Sequence, residues 1–356
     1  MKVAIIGGGI MGCATALALV ERGCEVVVLE RAVPGAEASS AAAGILGAQL
    51  ELHGRGEDVE LYLRARTAWA PWARSLGEAT GIDVGYRACG ALRLAFNAEQ
   101  HAQLDRDVSW QREHGLHAES VDGHRARQVE PALSGDVVAA AYFPDDAQVD
   151  PPSLLRALMA ALARDPRAEV RGGTTVERLL LDRDRCVGVK LDEGEVRADA
   201  TVLAAGSWSS LVPGVPPSMP AVRPVRGQIV QLDERPPSVR AIVFGAGGYL
   251  VPRGDGRVLC GSTMEHAGFR REVTASGVHA ILGSALACVP GLGGAQVVAT
   301  WSNFRPHAHG DRPLVGASAL PGLFLATGHH RNGILLSKVT SDEVAAAITG
   351  SLPVTG

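Results

Sequence analysis

Three glycines and one carboxylate near the start of the chain carry its first chemical signal. Gly7, Gly9 and Gly12 stand in G-x-G-x-x-G spacing within KVAIIGGGIMGCATALALVERGCEVVVLE, and Glu30 closes the stretch. An apolar run from Val3 to Ile6 leads into the glycines, a helix-like run continues to about Arg22, and a second apolar run from Val26 to Leu29 ends at the acid. That order of strand, glycine turn, helix, strand and acid suits a dinucleotide. Gly7 permits the tight turn, Gly9 lets a diphosphate approach the backbone, and Gly12 lets helix pack on strand. A helix starting near Ile10 would aim its free N–H groups and positive dipole end at that diphosphate. Glu30, about 20 residues on, stands where a carboxylate accepts the hydroxyls of an adenosine ribose. A ligand-free strand–helix–strand unit would need packing glycines but not the terminal acid.

Two further segments point to a flat ring system. Ser39-Ser-Ala-Ala-Ala-Gly44 offers small residues where a ring can pass close to the backbone, which a plain nicotinamide site does not require. Late in the chain, a strand-like run ends at Gly328 and opens onto His-His-Arg-Asn-Gly-Ile-Leu-Leu336. A helix starting there would turn its N–H groups toward the N1/C2=O edge of a flavin, where negative charge collects on reduction.

The elements that must position these residues read as two interlocked domains. A chain of 356 residues with 46% hydrophobic content exceeds what one core usually serves. A helix is expected from Glu57 to Thr80, a strand from Gly90 to Ala95, and a helix from Asn97 to His114 with Asn97 as N-cap and Gly115 as stop. Pro151 starts a helix to about Ala163, β-rich runs follow at Thr174–Leu181 and Cys186–Leu191, and a buried strand from Ala200 runs into Gly206. From Ala221 to Phe304 the pattern becomes antiparallel, with strands at Val225–Leu232, Tyr249–Pro252, Val258–Gly261 and Val297–Phe304 and a helix at about Ser276–Cys288. Gly322–Gly328 supplies a last strand and Gly333–Thr349 a closing helix. The expected fold class is α/β with an α+β second domain. A Rossmann-type dinucleotide-binding domain (1–85, 143–220 and 310–356) is interleaved with a mixed, largely antiparallel substrate-binding domain (86–142 and 221–309).

Bulk properties narrow the partners. A formal net charge of −4 without a basic tract gives no reason to expect nucleic acid or an anionic membrane. The first strand begins at Lys2 and no apolar run approaches the roughly 20 residues of a membrane span, so a cytoplasmic protein is expected. Cys13, Cys24, Cys89, Cys186, Cys260 and Cys288 form no C-x-x-C pair and read as reduced, mostly buried small hydrophobes, with no metal site.

With GGGIMG, SSAAAGILGA, YLVPR (Tyr249 to Arg253), FRP (Phe304 to Pro306, followed by Asp311 and Pro313) and GHHRNGILL in this order, the chain resembles the glycine oxidases of the thiamine pathway, within the D-amino-acid oxidase group. The resemblance covers essentially the whole chain. It implies non-covalent FAD, since no cysteine follows Cys288 and no histidine precedes His53 for attachment. It places Ile10, Met11, Glu30, Arg31, Ala38, Ser39, Ala43, Gly44 and Ile45 along the N-terminal part of the cofactor site beside Gly7, Gly9 and Gly12. Val176 would meet the adenine, and Gly206 and Gly328 end the two neighbouring strands. His329, His330, Arg331, Asn332, Gly333, Ile334 and Leu335 would wrap the isoalloxazine.

For the substrate, the resemblance assigns Arg305 to the carboxylate, because a planar guanidinium binds it bidentately. Tyr249 would support the same carboxylate, and Arg331 would be a second active-site arginine. Other readings stay open: a surface strand arginine for Arg305, a half-buried sheet aromatic for Tyr249, a helix-capping residue for Arg331. His307 and His309 read as loop residues. The implied reaction is oxidation of glycine, or of another small amino acid or secondary amine such as sarcosine or a D-amino acid, with dioxygen as acceptor. Alternatives are a dehydrogenase serving a quinone or partner protein, and a catalytic subunit of a multi-subunit amine or opine oxidase. Relatives suggest a homo-oligomer. Gly247, Gly248 and His330 depart from the usual pattern near the substrate.

Overall fold

The apolar runs of the dinucleotide unit become the centre of a sheet. In a computed structural model, which describes residues 1–52, 58–310 and 312–350, strand Lys2–Ile6 lies between Glu25–Leu29 and Ala200–Leu203. Both neighbours pair with it in parallel. Ala168–Arg171 extends one side, and Leu323–Thr327 then Leu314–Ala317 extend the other, giving six strands among the described residues. Central strands buried on both faces read as continuous apolar runs, as parallel sheets require. Helices Ile10–Val20, Pro151–Ala163 and Gly333–Thr349 contribute to the core beside this sheet through Leu19, Leu154, Leu158, Leu335 and Val344.

Helix Asp58–Thr80 adds to the same core with Trp69, fully buried, whose indole N–H donates to the Leu335 carbonyl at 2.8 Å. The Glu57 start expected for this helix lies outside the described residues, as do His53 and Asp311. A three-stranded antiparallel sheet (Val176–Asp182, Arg185–Leu191, Glu195–Arg197) packs Leu179, Cys186 and Val189 against Leu203 and Leu323 of the main sheet.

The second large sheet has eight strands in the order Gln296–Ala308, Val222–Asp233, Arg257–Gly261, Gly248–Pro252, Ile242–Gly245, Ala91–Ala95, Ala139–Phe143 and Glu119–Asp122. All of its pairings are antiparallel except Ile242–Gly245 with Ala91–Ala95. Helix Ala275–Cys288 covers this sheet with Ile281, Ala285 and Cys288.

Several expected boundaries move. The first helix ends at Val20, with residues 21–23 in a turn. The strand expected to reach Gly206 ends at Leu203, because a 3-10 turn starts at Gly206 and runs to Leu211. Strands Glu119–Asp122, Ala139–Phe143 and Ala168–Arg171 were absent from the sequence reading, whereas Asn97 caps its helix as expected by accepting the Gln100 N–H at 2.9 Å.

Candidate functional site

The glycine turn, the Ser39–Gly44 segment and the Gly328–Asn332 turn open onto one cleft between the two large sheets, with a cavity volume of about 430 Å3. At one end, Glu30 is held rigidly: its two carboxylate oxygens accept the Gly8 N–H at 2.8 Å and the Ala32 N–H at 3.0 Å. Each oxygen keeps a further lone pair, so a ribose can still be read there. Arg31 and Val176 line the same end.

The glycines are fixed by sterics. A Cβ on Gly7, whose φ is +110°, would stand 2.4 Å from the Ala204 carbonyl oxygen, and one on Gly12 would stand 1.9 Å from the Gly7 oxygen. Gly12 therefore serves packing and does not line the cleft, while Gly7, Gly9, Ile10 and Met11 do. Helix Ile10–Val20 has no side chain capping it from its N-cap residue, Gly9; the Ser39 hydroxyl accepts the Ile10 N–H at 2.9 Å instead. Ala38, Ser39, Ala43, Gly44, Ile45 and Gly206 continue the wall.

At the other end, the Gly328–Asn332 turn is stitched to the second sheet. The His330 N–H donates to the Pro306 carbonyl at 2.7 Å, beside Arg305. His329, His330, Arg331, Asn332, Gly333 and Ile334 line the cleft, and the helix from Gly333 begins without a side-chain cap, which leaves a positive dipole end there. Gly328 and Leu335 do not line it. Gly328 packs on Ala308, and Leu335 is buried in the core with its carbonyl engaged by Trp69. His329 is buried, its Nε2 3.0 Å from the Thr340 hydroxyl, and burial pushes its pKa down to about 3. It is an uncharged structural group near neutrality.

Arg305 and Tyr249 meet in the cleft. The Arg305 guanidinium donates to the Ser262 hydroxyl at 2.6 Å and to the Thr263 carbonyl at 3.2 Å, and it is hydrogen-bonded to the Tyr249 phenol. Burial lowers its pKa, a tendency opposed by Tyr249. Its space depends on Gly227, where a Cβ would lie 2.2 Å from a guanidinium nitrogen. Tyr249 depends likewise on Gly261, where a Cβ would lie 2.4 Å from its ring. Arg331 sits at the cleft too, but donates to Glu51 at 2.9 Å, so its charge is already partnered. His307 lies in strand Gln296–Ala308 rather than in a loop, and its ring meets that of His330 at 4.7 Å with a tilt of 59°, while His309 is in the turn that follows. Among the described residues, no group of His, Cys, Asp or Glu side chains is placed to hold a metal ion.

Residues the sequence reading missed also line the cleft: Glu51, Trp208, Phe244, Asn303 and Gly227. Trp208 stands two residues after Gly206, in a 3-10 turn where only the end of a strand was expected. Gly247 and Gly248 form the hairpin tip beyond Phe244 and do not line the cleft.

These features fit FAD. The glycines leave backbone exposed along a long cleft, Glu30 closes one end, and two helix N-termini without side chains from their own cap residues converge on it.

Comparison with known proteins gives consistent results. A family model described as DAO, FAD dependent oxidoreductase, matches residues 2–347. The chain is 36% identical to a glycine oxidase of Geobacillus kaustophilus, over 96% of this chain and 91% of that one. It is 34% identical to a bifunctional protein ThiO/ThiG of Nostoc sp., over 97% of this chain, and it spans about half (52%) of that relative's length. The crystal structure of glycine oxidase from Bacillus cereus superposes with a TM-score of 0.93 at 32% identity, covering 98% of this chain and 95% of that one.

Proposed function

The chain belongs to the DAO family of FAD dependent oxidoreductases, and from that membership we propose that it oxidises glycine, or another small amino acid or secondary amine, at Cα. Glycine, dioxygen and water would give glyoxylate, ammonia and hydrogen peroxide. The observation that carries this reading is the Arg305 guanidinium, held by Ser262, Thr263 and Tyr249 in the same cleft as the dinucleotide glycines.

FAD held by the glycine turn, Glu30 and the Gly328–Asn332 turn would supply the acceptor for the Cα hydride, with dioxygen as the final oxidant. The chain's own residues bind and orient. Arg305 offers a bidentate grip to the substrate carboxylate, and Tyr249 fixes the guanidinium plane. The pairing of Pro306 with the Gly328–Asn332 turn sets Arg305 at a fixed height relative to the helix from Gly333. Ile45, Ile229 and Phe244 give the cleft apolar walls that exclude water and strengthen the charge contacts. No general base is assigned, because a substrate that binds with a neutral amine needs only orientation of its Cα–H bond. Arg331, paired with Glu51, tunes the charge at the mouth.

The membership of the two large sheets supports a cofactor domain of 1–85, 143–220 and 310–356 and a substrate domain of 86–142 and 221–309. The ThiO/ThiG relatives support a role in thiamine thiazole synthesis for the oxidation product. Among the described residues no helix is long and apolar enough to cross a membrane. The test is peroxide release from the purified protein with glycine, sarcosine, D-alanine and D-proline. Peroxide in proportion to one of these amines is expected; none with all four would refute the assignment.

A further inference from the structure

We propose that residues 262–274, which join strand Arg257–Gly261 to helix Ala275–Cys288, form a clasp between the two walls of the cleft that slows FAD release. Phe269 and Arg271 are its gripping side chains, and Trp208 and Glu37 receive them. The inference rests on FAD occupying the cleft and is independent of the substrate.

The root of the segment is firmly set. Arg226, buried, donates from Nε to Glu265 at 2.9 Å and from Nη1 to Glu272 at 3.1 Å, and the Arg226 and Glu265 backbones exchange two hydrogen bonds of 2.9 Å. Gln228 donates to Glu265 at 2.6 Å and accepts the Thr274 N–H at 2.8 Å. Both ends of the segment are thus tied to strand Val222–Asp233.

Its middle reaches the connections that follow strands Ala200–Leu203 and Glu25–Leu29 of the other sheet. The Phe269 ring stacks on Trp208, in the turn after Leu203, with centroids 5.0 Å apart, and meets Phe304 of its own sheet edge-on at 5.4 Å. Arg271 lies 2.5 Å from Glu37, whose second oxygen accepts from Arg31 at 2.9 Å. The Arg31 guanidinium in turn sits 4.0 Å from the Trp208 ring centroid. Arg31, Glu37, Trp208 and Phe304 line the cleft; Phe269 and Arg271 stand behind them. Widening the cleft to let a dinucleotide out therefore means unstacking Phe269 and separating Arg271 from Glu37.

The two contacts are unequal. Exposed ion pairs contribute little, whereas aromatic pairs add to the burial of their own area. Phe269, 40% exposed, should therefore matter more than Arg271.

The test follows FAD release from diluted holoprotein by the rise of free-flavin fluorescence, with no substrate present. F269A should speed release about tenfold and R271A about threefold. R271A combined with E37Q should add nothing beyond E37Q alone, since E37Q already weakens the Arg271 contact along with that of Arg31. Apoprotein melting temperatures report the fold separately, and F269L replaces F269A if the latter does not fold. Release from F269A (or F269L) and R271A within twofold of the parent would overturn the clasp. Because no substrate enters this measurement, its failure would leave the oxidase assignment standing, and the reverse also holds.

Discussion

At Arg305 the grip on a substrate carboxylate depends on a few atoms. Removing the guanidinium deletes a charge-assisted bidentate contact, each bond of which contributes about 1.5–3 kcal/mol. R305A should therefore lower kcat/KM for amino acids by about two to four orders of magnitude, mainly through KM, while the yellow protein still carries FAD. Steady-state kinetics with a flavin-to-protein absorbance ratio would check both halves. G227A is a subtler probe, since its methyl would lie 2.2 Å from the guanidinium and push the flexible tip aside without touching the cofactor glycines. A rise in KM of about tenfold with normal FAD content is expected; an unchanged KM would show that Arg305 does not grip the substrate from this position. Arg305 and Tyr249 were legible because FRP and YLVPR are local strings. Gly227 and Ser262 were not, because their roles arise from registers that pair Val225 with Arg305 and Ile229 with Gly261 across distant strands.

At the level of elements, the dinucleotide unit was the most readable part because its glycines, apolar runs and acid fall within one strand–helix–strand crossover. G12A tests it, since a Cβ 1.9 Å from the Gly7 oxygen must separate helix from strand. We expect loss of FAD binding and destabilisation of about 2–4 kcal/mol, measured by urea unfolding. The missed strands have physical explanations. Ala139–Phe143 is rich in alanine, a helix former, and becomes a strand only between Ala91–Ala95 and Glu119–Asp122. Ala168–Arg171 is short and charged because it is a sheet edge. The early end of the strand at Leu203 escaped notice because Ala204, Ala205 and Gly206 suit a strand and a turn equally, and with it went Trp208.

Across the whole molecule, burial of neutral His329 ties stability to pH. Its pKa is about 3 in the fold against an ordinary 6.5, so below pH 6.5 the unfolded chain takes up a proton that the folded chain refuses. Stability from this group falls as pH drops from about 6.5 toward 3, by about 2 kcal/mol between pH 7 and pH 5. Asp146 acts oppositely: burial raises it from an ordinary 3.8 to about 7, so it costs stability as pH rises across that span. H329Q removes the His329 share alone, so the stability it loses relative to the parent, measured by urea unfolding at the two pH values, should be about 2 kcal/mol smaller at pH 5 than at pH 7. The interlocked pair of sheets was foreseen from the alternation of parallel-type and antiparallel-type runs, but the depth of the cleft between them was not, since it depends on which turns the crossing connections bring together. The central claim is that a carboxylate-bearing amine held by Arg305 gives up its Cα hydride in this cleft. The most direct test mixes the purified holoprotein anaerobically with glycine, sarcosine, D-alanine and D-proline in turn and follows flavin absorbance near ~450 nm. Bleaching by at least one of these amines, reversed by air with release of peroxide, is the predicted result; persistent absorbance with all four would contradict it.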